Sequence, residues 1–156
     1  PEKGNFTASL TTEDFIDTNG VEQIVMDKTS DTILLDGRPE KQFWGEEKHP
    51  KVLATGHIPG ATLLTQSNAY DEISNKLKPT NMLNEIYSDM RSKPVVSYCN
   101  TGHWAAMNWF VLSELLGNEN VTLYDGSMVE WTQDPNRPLI KEKSNFTKIK
   151  EFFRLG

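Results

Sequence analysis

Cys99 is the single cysteine of the chain. It stands where an apolar run, Pro94-Val95-Val96-Ser97-Tyr98, gives way to Asn100-Thr101-Gly102-His103-Trp104 and then to the helix-forming residues 105–112. A strand that stops at a cysteine just before a helix places the thiol beside the helix's first-turn N–H groups. Those groups have no partner inside the helix. The unpaired donors and the positive end of the helix dipole favour an anion, so the sulfur is favoured as thiolate. The same cradle suits an anionic substrate or a sulfur-bound intermediate. These residue types in this order read as a site for nucleophilic sulfur chemistry.

The elements around the cysteine must hold it at an open end of the fold. Thr32-Ile33-Leu34-Leu35-Asp36 is a short apolar run ending in a polar turn, the pattern of a buried parallel strand. Val121-Thr122-Leu123-Tyr124 is a second such run, followed by Asp125-Gly126-Ser127. Short strands alternating with helices predict an α/β domain with a mostly parallel central sheet. In such sheets sites form at the carboxyl ends of the strands. Asp36, Cys99 and Asp125 are therefore expected to converge at one end.

The other elements follow from capping and periodicity. Thr12-Glu13-Asp14-Phe15-Ile16 reads as an N-cap with acidic first-turn residues, hence a short helix, preceded by a linker or edge segment over 1–11. Residues 37–56 are charged and rich in turn formers, a long surface excursion with one helical turn. His57-Ile58-Pro59-Gly60 reads as a turn before a strand near Leu63. Leu83, Ile86, Tyr87 and Met90 share one helical face, ending before Pro94. Met107, Phe110, Val111, Leu115 and Leu116 carry a helix to Gly117, a plausible C′ residue. Residues 139–156 read as a C-terminal helical extension whose last helix spans about 147–153, with Ile149, Phe152 and Phe153 turned to the body.

The chain has 156 residues, 37% hydrophobic and 24% charged, which suits a single globular domain over 1–156. It has no apolar run of about 18 residues, the length a membrane span needs. A net charge of −6 gives no basic footprint for nucleic acid. One cysteine makes no internal disulfide, and a lone thiol is compatible with cytoplasm or periplasm alike. The chain opens on Pro1 with no signal-peptide pattern, which suggests trimming from a precursor or from a larger multidomain protein.

The motifs together resemble those of the rhodanese (sulfurtransferase) family. Asp36-Gly37-Arg38 is similar to its Asp-x-Arg, and Gly56-His57-Ile58-Pro59-Gly60-Ala61 to its Gly-His-Ile-Pro-Gly-Ala box. Cys99-Asn100-Thr101-Gly102-His103-Trp104-Ala105 stands at its active loop. Asp125-Gly126-Ser127-Met128-Val129-Glu130-Trp131 resembles its closing Asp-Gly-Gly-x-x-x-Trp, with Ser127 in place of the second glycine. The motifs come in the family's order over about 12–138 and look most like a catalytic unit of bacterial tandem-domain thiosulfate sulfurtransferases. The resemblance implies a three-layer fold with a central, mostly parallel five-stranded sheet and helices on both faces.

It also implies a persulfide cycle in which Cys99 takes a sulfane sulfur from a donor such as thiosulfate and passes it to cyanide or a thiol. Asn100, Thr101, Gly102, His103, Trp104 and Ala105 would form the substrate-binding loop, with Asp36, Arg38, His57 and Asp125 in support. No metal and no organic cofactor are implied. Another rhodanese domain of the same protein is a further candidate partner. The exported habit of related tandem proteins points to the periplasm, with the cytoplasm as the alternative. The loop departs from the best-known thiosulfate enzymes in lacking basic residues: only His103 supplies a positive charge, and only when protonated. It also lacks the small residues that mercaptopyruvate enzymes prefer after the cysteine.

Other readings compete. Free cysteines are often inert core residues. Asp36 and Arg38 read first as an ion pair tying down a strand end, His57 as an architectural residue, and Trp104 as pocket wall. A cysteine phosphatase of the same fold would need an Arg at position 105 to clamp a phosphoryl dianion, and that residue is Ala105. A non-enzymatic docking module of the family commonly lacks the cysteine. A redox sensor would want a resolving partner thiol. His49, His57 and His103 lack metal-ligand spacing, and Cys99 would be the sole sulfur ligand.

Overall fold

The computed structural model describes residues 13–141, together with Gly4, Asn5 and Thr7. The expected segment over 1–11 and the expected helix at 147–153 therefore lie largely or wholly outside the described residues. The first helix is α1 (Thr18–Met26), and it starts later than the sequence suggests. Glu13 and Asp14 form a turn and Phe15 makes a lone parallel bridge to Leu123. The cap is Asp17, whose carboxylate accepts the N–H of Gly20 at 2.8 Å. An aspartate with extended backbone three residues before a free N–H outcompetes Thr12 as the helix start.

The central sheet is built from β1 (Ile33–Asp36), β2 (Thr62–Leu63), β5 (Val95–Tyr98) and β6 (Val121–Leu123), in the order β2-β1-β5-β6. All its pairings are parallel. Among the described residues the sheet has four strands where five were expected. At the β6 edge the chain offers Ile16 N–H to Leu123 and takes Leu123 N–H at Asp14, a bridge too short to make another strand. A separate antiparallel hairpin, β3 (Tyr70–Asp71) with β4 (Lys76–Leu77), follows a 3₁₀ turn at Gln66–Ala69.

Alternation along the strands sends side chains to two cores. Leu35, Val95 and Val121 face α3 (Thr80–Ile86) and α4 (His103–Phe110), where they meet Leu83, Tyr87, Val111 and Leu112. Leu34, Val96 and Tyr98 face α1 and α5 (Ser127–Trp131), meeting Val21, Met128 and Trp131. Helices on both faces make three layers. Each fully buried aliphatic side chain contributes on the order of 2 kcal/mol.

The amphipathic stretch at 83–90 is helical to Ile86 and then tightens into a 3₁₀ turn at Ser88–Met90, still burying Leu83, Tyr87 and Met90. The helix after the cysteine loop continues α4 through a π turn at Val111–Leu115, where Leu116 N–H reaches Val111. It stops at Gly117, whose φ of +70° suits glycine. The excursion at 37–56 carries one short helix, α2 (Glu40–Phe43). Within the expected C-terminal extension, Ile140 forms an antiparallel bridge with His57 rather than a helical turn. No helix among the described residues is long and apolar enough to cross a membrane.

Candidate functional site

β5 lies between β1 and β6, and each of its residues is buried. Its carboxyl end delivers Cys99 to the middle of the sheet's upper rim, with Tyr98 in register with Asp36. The strand is fastened to the following helix by Ser97, whose hydroxyl donates to the carbonyl of Ala105 at 2.8 Å. On the other side, the N-terminal turn of α5 closes on the loop. Met128 N–H reaches the carbonyl of Cys99 at 3.1 Å and Val129 N–H that of Asn100 at 3.0 Å.

These bonds occupy the carbonyls and leave the donors. Among the described residues, no acceptor takes the backbone N–H groups of residues 100–105, whereas Ala106 N–H already bonds Gly102 in the helix. Unpaired amides at a helix start favour an anion beside them. Gly102 turns the loop: its φ is +83°, and a Cβ there would lie 3.1 Å from the carbonyl oxygen of Asp125. Only glycine takes that conformation and that closeness together.

Cys99 is 1% exposed, more enclosed than its expected place at an open end of the fold suggests. The first turn of α5 lies against its backbone. Its N–H is taken by the hydroxyl of Ser127 at 3.0 Å, and that hydroxyl donates to Tyr124 at 2.8 Å. Ser127 is fully buried and holds φ +50°, a backbone state most side chains resist.

Of the other loop residues, Asn100, Gly102 and Ala105 are buried, Thr101 and Trp104 half-buried, and His103 exposed. Thr101 Oγ1 and His103 Nδ1 lie 3.5 Å apart. Asn100 Nδ2 donates to Gln42 Oε1 at 2.8 Å, which ties the loop to α2. Its Oδ1 is buried without a partner, an arrangement that costs about 1–3 kcal/mol in an interior.

Asp36 and Arg38 form a buried bidentate pair, with Nε at 2.9 and 3.0 Å and Nη2 at 2.7 Å from the carboxylate. Arg38 Nη2 also donates to Gly56 at 2.8 Å, so the pair pins both ends of the excursion. Burial works against the guanidinium's charge, but Asp36, with Tyr98 and Cys99 adding to it, raises its pKa above the ordinary value. Tyr98 is pushed well above the usual phenol range by its burial and by Asp36. His57 Nδ1 is 2.8 Å from the carbonyl of Phe43, and its ring stacks on Phe43 at 3.7 Å. Asp36, Cys99 and Asp125 all lie at the carboxyl ends of their strands. Asp36 is spent on Arg38, and Asp125 is exposed, its backbone against Gly102.

Two residues of this site were not among those picked from the sequence. Ser127 had a signal, because a hydroxyl stands where the closing motif has glycine. Gln42 had none, since it reaches the loop from a charged excursion with no periodic pattern.

A strand-end cysteine in an amide-rich loop over a parallel three-layer sheet defines a class. The Rhodanese-like domain family model matches residues 19–134, and the chain belongs to that family. It is 35% identical over 120 residues to a putative thiosulfate sulfurtransferase of Haloferax volcanii, covering 72% of this chain and 41% of the relative. It is 38% identical over 113 residues to a thiosulfate sulfurtransferase of Corynebacterium glutamicum, covering 68% and 37%. It is also 32% identical over 130 residues to the sulfur carrier protein TtuD of Thermus thermophilus, covering 78% and 45%. The chain thus spans less than half the length of these curated relatives. The anaerobic ergothioneine biosynthesis enzyme of Chlorobium limicola shares the fold, with TM-score 0.73 at 22% identity over 84% of this chain and 32% of that one.

Proposed function

We propose that this domain is a sulfurtransferase that works through a persulfide on Cys99. The observation that carries the reading is the set of backbone N–H groups at 100–105, which no described acceptor takes, around the chain's single cysteine. Such donors stabilise charge on sulfur before and after transfer and need no rearrangement when it arrives. In the first half-reaction the Cys99 thiolate attacks the outer sulfur of thiosulfate. The donor's S–S bond breaks, its electron pair leaves on sulfite, and the enzyme holds Cys–S–S⁻. In the second, a thiol or cyanide attacks that outer sulfur and the Cys99 thiolate is restored.

Names among the relatives support both halves, a thiosulfate sulfurtransferase for loading and a sulfur carrier for passing on. The enclosure of Cys99 favours slender donors and acceptors over bulky ones. Asp36–Arg38 and the His57–Phe43 stack serve as the frame, while Asn100, Thr101 and His103 line the approach.

Intact mass after incubation with thiosulfate tests this. Wild type gains one sulfur atom and Cys99→Ala gains none. Sulfur uptake from mercaptopyruvate and not from thiosulfate would move the donor assignment, and uptake from neither would end the reading.

A further inference from the structure

We propose that Thr18 and Glu130 are positioning residues for the Cys99 loop, setting through α5 the direction of its first two amides; this rests on the sulfur-transfer reading of Cys99. The loop is held by the donors that open α5. Met128 N–H and Val129 N–H have no partner inside their own helix, and they take the carbonyls of Cys99 at 3.1 Å and Asn100 at 3.0 Å. Both of those peptide bonds are trans. In a planar trans peptide the N–H points opposite to the C=O. Two carbonyls held toward α5 therefore turn the N–H groups of Asn100 and Thr101 away from it. These are two of the donors that stabilise charge on the sulfur in the proposed reaction.

What braces α5 lies outside the loop. Thr18, the buried first residue of α1, donates its hydroxyl to Glu130 Oε1 at 2.6 Å and stands 2.7 Å from the Tyr124 hydroxyl. A hydroxyl carries one proton, so Tyr124 donates to Thr18, and the chain of bonds runs from Tyr124 through Thr18 to Glu130. It joins the residue after β6, the start of α1 and the body of α5. The Glu130 carboxylate also folds back over the start of its own helix, where a Cβ on Gly126 would overlap Oε2. Glu130 thus braces the turn from which the two loop-holding N–H groups project.

Among the described residues, neither Thr18 nor Glu130 makes a hydrogen bond to 99–105, so their effect passes through α5. A residue that only stabilised the fold would change how much protein is folded. It would leave the acidity of the thiol in the folded chain as it was. The titratable groups on the elements around the loop are Asp36 and Arg38 at the end of β1, Tyr98 on β5, His103 on α4, and Asp125 and Glu130 at α5, with Glu40 and Lys41 on α2. Removing the Thr18 hydroxyl alters none of these charges.

The test reads the thiol itself. With a single cysteine in the chain, the rate of alkylation by iodoacetamide reports Cys99 alone, and its midpoint against pH marks where the thiolate forms. Thr18→Val should raise that midpoint by about one pH unit, a roughly ten-fold smaller thiolate fraction below it, as expected for one misaimed hydrogen bond to a charged sulfur. Thr18→Ser returns the hydroxyl and should return the midpoint. Glu130→Leu separates position from charge: losing a negative neighbour alone would lower the midpoint, whereas losing the brace raises it. Glu130→Gln keeps an acceptor for Thr18 and should stay at or below wild type. Asn118→Ala, which gives up bonds to the carbonyls of Met90 and Lys93 at the opposite end of the sheet, supplies a destabilised chain whose midpoint should not move. Midpoints at or below wild type in both Thr18→Val and Glu130→Leu overturn the proposal, and so does a rise of equal size in Asn118→Ala. Raised midpoints in the two variants, with a wild type that takes no sulfur from thiosulfate, sink the sulfur-transfer reading alone and support the positioning role.

Discussion

The hydroxyl of Ser127 accepts the backbone N–H of Cys99 at 3.0 Å, across an interval of 28 residues. It donates its own O–H to the backbone carbonyl of Tyr124, so the end of β5 is stitched to the turn after β6 through one side chain. Ser127→Ala leaves a buried N–H and a buried carbonyl without that partner and keeps the left-handed backbone. A loss of about 1–3 kcal/mol is expected from chemical denaturation. Ser127→Gly loses the same bonds but relieves φ +50°, so it should be more stable than the alanine variant by roughly 1 kcal/mol. Equal stabilities would show that the backbone there is not strained.

Gly102→Ala meets two obstacles at once, a φ of +83° and the Asp125 carbonyl oxygen at 3.1 Å from the new methyl. A cost of about 2 kcal/mol or more is expected, read as a lowered thermal midpoint. Persulfide formation should fall with it, because the loop must open to admit the methyl. A variant with full sulfur uptake would show that the turn does not set the amides.

The Asp36–Arg38 pair is fully enclosed. Arg38→Met strands the carboxylate and should cost about 3–5 kcal/mol in urea denaturation. Adding Asp36→Leu to that variant should recover a large part of the loss, since no unpaired charge then remains. Failure to recover would mean that the bond from Arg38 to Gly56 carries the effect.

Tyr124 is pushed up to about 12, chiefly by burial, and Tyr87 and Tyr98 move in the same direction. The folded chain then keeps a proton that the unfolded chain releases near the ordinary value of about 10. Stability is complete below pH 10 or so and falls as pH climbs toward about 12. Denaturation midpoints measured across that range should show a shallower fall for Tyr124→Phe than for wild type. That variant also gives up the 2.7 Å contact with Thr18, so its stability near neutrality should be slightly lower.

The sheet was legible because β1, β5 and β6 are short apolar runs ended by polar residues, a pattern that survives any packing. The cysteine loop was legible from the same boundary. The first helix starts later than the sequence suggests because Asp17 is as competent a cap as Thr12, and Phe15 is taken up by a bridge to Leu123. Among the described residues the sheet has four strands and not five, because Phe15 makes a single bridge there. The hold of Ser127 on the Cys99 N–H could not be read from the cysteine's neighbours, since it comes from α5, which lies past residue 126. The link from Gln42 to Asn100 joins residues 58 apart across an excursion with no repeating pattern, and no local rule reports such a contact.

The margins of the sheet bear on how the molecule behaves in a crowded solution. One margin is β2, with only two residues of ladder, and the other is screened where Asp14 and Ile16 engage Leu123. Among the described residues, neither offers a length of open backbone on which a passing extended peptide could nucleate. Fibril growth by strand recruitment therefore finds little foothold at these two margins, and there it would have to begin from chains that have first come apart.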